Sequence, residues 1–74
     1  MKVRDPYALV LEFSLRVEGR VVEPVSEETL HELSIEHKLM EEIVEELHSA
    51  HAVRCVVWMT ERFFKDRGYT LEAA

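Results

Sequence analysis

Residues 8–23 read ALVLEFSLRVEGRVVE, and the fold turns on how this stretch is parsed. Leu9, Leu11, Phe13, Leu15 and Val17 fall on one side of an alternating pattern, with Val10, Glu12, Ser14 and Arg16 on the other. A period of two with one apolar and one mostly polar face predicts a strand over about 8–17. Glu18-Gly19 then reads as a two-residue turn in which glycine supplies positive φ. A second strand over about 20–23 ends at Pro24, which has no N–H for a ladder. In this register Leu15 and Val22 share a face, whereas a slip by one residue sets Leu15 against Glu23. A lone hairpin is barely stable in water, so its apolar face needs helices or another copy of the chain.

Downstream, no glycine or proline occurs between Pro24 and Gly68. Ser26 is placed to cap a helix, with Glu27 and Glu28 in its first turn, where the helix dipole favours negative charge. Leu30, Leu33, His37, Met40, Val44, Leu47 and His51 follow at alternating spacings of three and four, a heptad seam. Beyond Ala50 the pattern shifts to Val53, Val57, Thr60 and Phe64, broadened by Val56 and Phe63. Gly68 is a suitable C-terminal cap. One helix over 26–67 would be about 63 Å long and would need a second chain along its seam. Two helices would break near His48-Ser49-Ala50-His51. A strand over 52–59 is the third option, and the coherent stripe of Val53, Val56, Val57, Thr60, Phe63 and Phe64 favours helix over it. The tail over 69–74 reads as short irregular structure or a frayed end. The expected class is α+β: an N-terminal β-hairpin (8–23), then one long helix or a helical hairpin (26–67), assembled as a homo-oligomer.

Seventy-four residues allow one domain, and a domain this small is marginal without disulfides, metal or association. The single Cys55 excludes an internal disulfide framework and a multi-cysteine zinc site. No apolar run approaches the ~20 residues of a membrane span, and the first residues lack a basic-then-apolar leader. A cytoplasmic protein with no membrane partner is therefore expected. The net charge of −6 is unevenly spread. Residues 1–25 sum to zero. Residues 26–51 hold glutamates 27, 28, 32, 36, 41, 42, 45 and 46 against Lys38, a net of −7; residues 52–74 sum to +1. Pairing of the acidic with the basic segment, within a chain or between chains, would set orientation more than affinity.

Glu28 precedes His31 by three residues and Glu45 precedes His48 by three, and His48 and His51 are themselves three apart. Such Glu-x-x-His pairs hold di-metal centres in helical bundles. A segment this rich in glutamate and histidine produces the spacing by chance, so a metal-binding bundle is the alternative reading and no cofactor is expected. Cys55 has no base or orienting group assigned by spacing, no glycine-rich phosphate loop is present, and catalysis is not expected. A strand followed by two helices has the layout of ribbon-helix-helix DNA-binding proteins. Here, however, the outer strand face would be Val10, Glu12, Ser14 and Arg16, in a chain of pI about 5.1. The charge has the wrong sign for phosphate, so a nucleic-acid-binding regulator stays a further alternative.

The favoured expectation is a small non-catalytic interaction or regulatory module that self-associates, most simply as a twofold dimer. Leu33, His37, Met40, Val44 and Leu47 would form the interface. Trp58, on the otherwise polar stripe Arg54–Trp58–Glu61–Lys65, would contact a partner, either a second copy or another protein. Histidines buried in the seam at His37 and His51 would make association weaker in acid.

Overall fold

A computed structural model describes residues 5–73. It contains three helices, α1 (Pro6–Glu18), α2 (Glu27–Leu47) and α3 (Ala50–Asp66), each packed on the other two. No strand lies among the described residues, only an isolated antiparallel bridge between Val21 and Leu71. The α+β expectation, with its hairpin over 8–23, is thereby overturned.

The physical reason lies at both ends of α1. Asp5 caps the helix, its carboxylate accepting the Tyr7 N–H at 3.2 Å, and Pro6 occupies the first helical position with its φ already set. This start signal lies just upstream of the alternating run. Inside the run Leu9, Val10, Phe13 and Val17 satisfy a 3.6 period, beside the period of two that Leu9, Leu11, Phe13, Leu15 and Val17 satisfy. The buried set is Leu9, Val10, Ser14 and Val17, one helical face, while Leu15 is largely exposed. Burying Val10 and Ser14 against two helices outweighs the strand propensity of isolated valines. Gly19 stays in the helical region, and the Arg20 and Val21 N–H groups bond to the Val17 and Glu18 carbonyls, so Glu18-Gly19 is a helix end rather than a hairpin turn.

The 26–67 region forms two helices. Ser26 caps α2 by accepting the Thr29 N–H at 3.2 Å. α2 ends at His48, which adopts the left-handed conformation (φ 47°, ψ 37°), and Ser49 caps α3 through the His51 N–H. A single helix of ~63 Å is incompatible with a molecule 37 Å in its longest dimension. The α3 end forms a Schellman cap. Gly68 (φ 87°) donates to Lys65 O, Tyr69 donates to Phe64 O, and the Phe64 and Tyr69 rings meet edge-on at 5.7 Å.

Leu9, Val10, Met40, Val44, Ala52 and Val56 fill the end of the bundle near the α2–α3 turn. Val17, Leu33, Phe63 and Phe64, with Val21, Val25, Tyr69 and Leu71 against them, fill the other end. Between them, buried Ser14 meets buried Thr60. Residues 69–73 form no helix or strand, and hydrogen bonds tie them to the rest of the molecule. Val22 donates to Thr70 O, Glu72 donates to Arg20 O, and Glu23 accepts from both the N–H and the hydroxyl of Thr70. This strap ties the end of α3 across the α1–α2 connection, and the Arg20–Glu61 ion pair (2.7 Å) fastens the same connection to α3.

Candidate functional site

The bundle decides which of the sequence-selected residues are available for chemistry or contact. Leu33, Met40 and Val44 lie in the chain's own core, covered by α1 and α3. The seam, too long for one chain to cover if it ran as a single helix, is therefore filled from within, because the break at His48 folds α3 back along it. Leu47, at the end of the seam, is exposed. His37 is half-buried, its Nε2 shut off from solvent with no hydrogen-bond partner. Desolvation lowers its pKa below the ordinary 6.5.

The Glu/His pairs do not converge. Glu28, His31, Glu45, His48 and His51 are all exposed. Among the described residues no three His, Cys, Asp or Glu side chains are grouped to hold a metal ion. His48 serves as the αL cap of α2. Cys55 is a half-buried free thiol. Among the described residues no helix is long and apolar enough to cross a membrane.

Shallow depressions among the described residues include two next to the α3 helix. One, of about 310 Å³, lies beside the α3 cap and is lined by Glu23, Glu28, Thr29, Glu32, Arg67 and Tyr69. Its polar groups are largely engaged. Arg67 pairs with Glu32 at 3.2 Å, and the Tyr69 hydroxyl lies 3.1 Å from Thr29 Oγ1 and accepts the Ser26 N–H. Hydrogen bonds to Thr29, then to Ser26, lower the Tyr69 pKa from its ordinary 10.0. Glu23 is likewise held below the usual carboxylate range by its bonds from Thr70. The second depression, of about 180 Å³, lies on the α2–α3 side and is lined by Glu36, Trp58, Met59, Arg62, Phe63 and Asp66, together with Arg67.

Trp58, in the wall of this second depression, is one of several exposed apolar side chains on α2 and α3. Trp58 is 60% exposed, with the Arg62 guanidinium 5.6 Å from its ring centre. On α2, Ile35 is 61% exposed and Leu39 50%. With half-buried Ile43 they form an i, i+4, i+8 stripe. Glu32 and Glu36 mark the side of α2 turned toward α3, and Ile35 and Leu39 each lie three residues beyond one of them, so the stripe runs along the α3 side. Sequence reading selected Trp58 but passed over Ile35 and Leu39, because they lie off the heptad seam. Their signal was a second four-residue apolar spacing, 35–39–43, beside the first.

The architecture is a three-helix bundle with exposed apolar residues on α2 and α3 and, among the described residues, no group of three His, Cys, Asp or Glu placed to hold a metal ion. No family model matches the chain, and neither the curated proteins nor the solved structures contain a match.

Proposed function

We propose that this chain is a small non-catalytic protein-interaction module that self-associates through the outer face of α2 and α3. The observation that carries the reading is the exposure of Ile35, Leu39 and Trp58 on neighbouring helices of a 74-residue chain. Scattered exposed apolar residues need no explanation, but a stripe beside an exposed tryptophan with an arginine over its ring has the composition of an interface centre. The marginal stability of small domains supplies the reason for association. A reducing, cytoplasmic setting suits the one free cysteine.

Light scattering across micromolar concentrations tests the reading. The expected result is a concentration-dependent rise to twice the chain mass. Trp58→Ser should shift the midpoint of that rise to higher concentration without altering helix content. A single-chain mass throughout, unchanged in Trp58→Ser, would overturn it.

A further inference from the structure

We infer that the outer face of α2 and α3 docks a basic amphipathic helix of another protein. The inference rests on the interaction face proposed above but not on a second copy filling it. The apolar part of the face is the row Ile35, Leu39 and Ile43 on α2. The depression that Glu36 shares with Trp58, Met59 and Phe63 lies beside it. At about 100° per residue, Ile35 and Ile43 each project about 40° from Leu39. Glu28, Glu32, Glu36, Glu42 and Glu46 all project within about 60° of Leu39, whereas Lys38, the only lysine or arginine of α2, lies about 100° away. The helix thus presents aliphatic side chains enclosed by carboxylates.

Charge selects the occupant. Among the described residues only Glu32 of these glutamates is in an ion pair, with Arg67 at 3.2 Å. The cations lining the depression are Arg62 and Arg67, and Arg62 is itself held by Asp66 at 3.5 Å. Arg54 and Lys65 do not line it. Glu28, Glu36, Glu42 and Glu46 therefore stand without a partner cation among the described residues. A second copy brings the same carboxylates and is the weaker occupant. The phosphates of a nucleic acid or of an anionic membrane are repelled. A segment whose lysines or arginines flank apolar anchors meets both parts of the face. A helix suits it, because an apolar ridge at four-residue spacing packs into the groove of another helix, and anchors at i, i+4 and i+7 reach successive gaps along it. The depression of about 180 Å³ has room for one such anchor against Trp58.

Trp58 is the only tryptophan of the chain and reports on the face directly. The experiment titrates the full-length protein at low salt with a peptide of alanine, leucine and lysine, about 18 residues long so that it forms a helix, with leucines at i, i+4 and i+7. Trp58 emission should shift saturably to shorter wavelength. Glu42→Lys/Glu46→Lys should bind this peptide at least about tenfold more weakly, whereas Glu27→Lys/Glu45→Lys, the same charge change about 120° around the helix from Leu39, should lose less than about threefold. All four positions are exposed, so circular dichroism should show unchanged helix content. Leu39→Ala, which leaves the charge alone, should also weaken binding. Equal losses in the two charge variants, equal binding of a peptide of the same composition with scrambled leucine spacing, or no saturable shift would each overturn the inference. So would a shift produced by duplex DNA or by anionic phospholipid vesicles in place of the peptide. A parent of single-chain mass that still binds the peptide would sink self-association and leave this inference standing. A dimer whose Trp58 ignores the peptide would do the reverse.

Discussion

Ser14 Oγ and Thr60 Oγ1 lie 3.4 Å apart, both buried, where α1 meets α3 between two apolar clusters. Thr60 Oγ1 also lies 2.7 Å from the Val56 carbonyl, which its single proton reaches best. The Ser14 hydroxyl then donates to Thr60, and Met40 Sδ approaches from α2 at 3.7 Å. All three helices thus converge on one hydroxyl pair, and only one assignment of its protons leaves neither hydroxyl proton unpaired.

This pair makes an asymmetric prediction. Ser14→Ala leaves Thr60 bonded to Val56 and should destabilise by about 0.5–1.5 kcal/mol. Thr60→Val keeps the shape but orphans the buried Ser14 hydroxyl, at about 1–3 kcal/mol. The double variant should lose less than the two singles added together, because no polar group is stranded in it. Urea unfolding measures all three, and strict additivity would show that the hydroxyls do not interact.

Val44 is fully buried against Leu9, Val10, Ala52 and Val56 within one chain. Val44→Asp should therefore abolish the fold itself, with a loss of about 3–5 kcal/mol from an unpaired buried charge. Far-ultraviolet circular dichroism should show helix lost at every protein concentration. A folded monomer with native helix content would contradict the intramolecular seam.

Acid should destabilise the bundle through His37. Its folded pKa is depressed below 6.5 by desolvation, and its buried Nε2 has no partner to retain a proton. The unfolded chain then binds the proton more readily. Stability is fully present above pH ~6.5 and falls as pH drops from there toward the folded-state value. His37→Leu should flatten this part of the stability–pH curve, measured by thermal melts between pH 7.5 and 5. An unchanged slope in that variant would assign the effect elsewhere.

His48 holds a left-handed backbone that a β-carbon disfavours. His48→Gly should raise stability by roughly 1 kcal/mol, since glycine adopts that conformation without the steric penalty. A lower melting temperature in this variant would mean that the imidazole itself stabilises the α2–α3 turn.

The strap after Gly68 offers a graded test. Tyr69→Phe removes the hydroxyl that meets Thr29 and the Ser26 N–H but keeps the ring against Phe64. Tyr69→Ala removes both. Hydrogen exchange at the Val22 and Glu72 amides, which close the bridge between the strap and the α1–α2 connection, should accelerate modestly in the first and strongly in the second. Equal effects would make the hydroxyl, not the ring, the anchor.

The sequence by itself determined the local punctuation of this protein. Ser26 opens α2 and Gly68 closes α3, because caps act within a few positions of one another, and the apolar pattern shifts near His48-Ser49 without saying whether the helix breaks there. The apolar seam on α2 was equally legible. Two things awaited the tertiary structure. The first was the class of residues 8–17, where Leu9, Val10 and Leu11 fit both periods and only burial of Val10 and Ser14 between two other helices selects the 3.6-residue one. The second was the identity of whatever covers Leu33, Met40 and Val44. A hydrophobic period states that a face must be covered, but transfer from water is non-directional, so it does not say by which element. Here α1 and α3 of the same chain do so, and the apolar residues left outside, Ile35, Leu39 and Trp58, belong to a different face from the one the heptads mark.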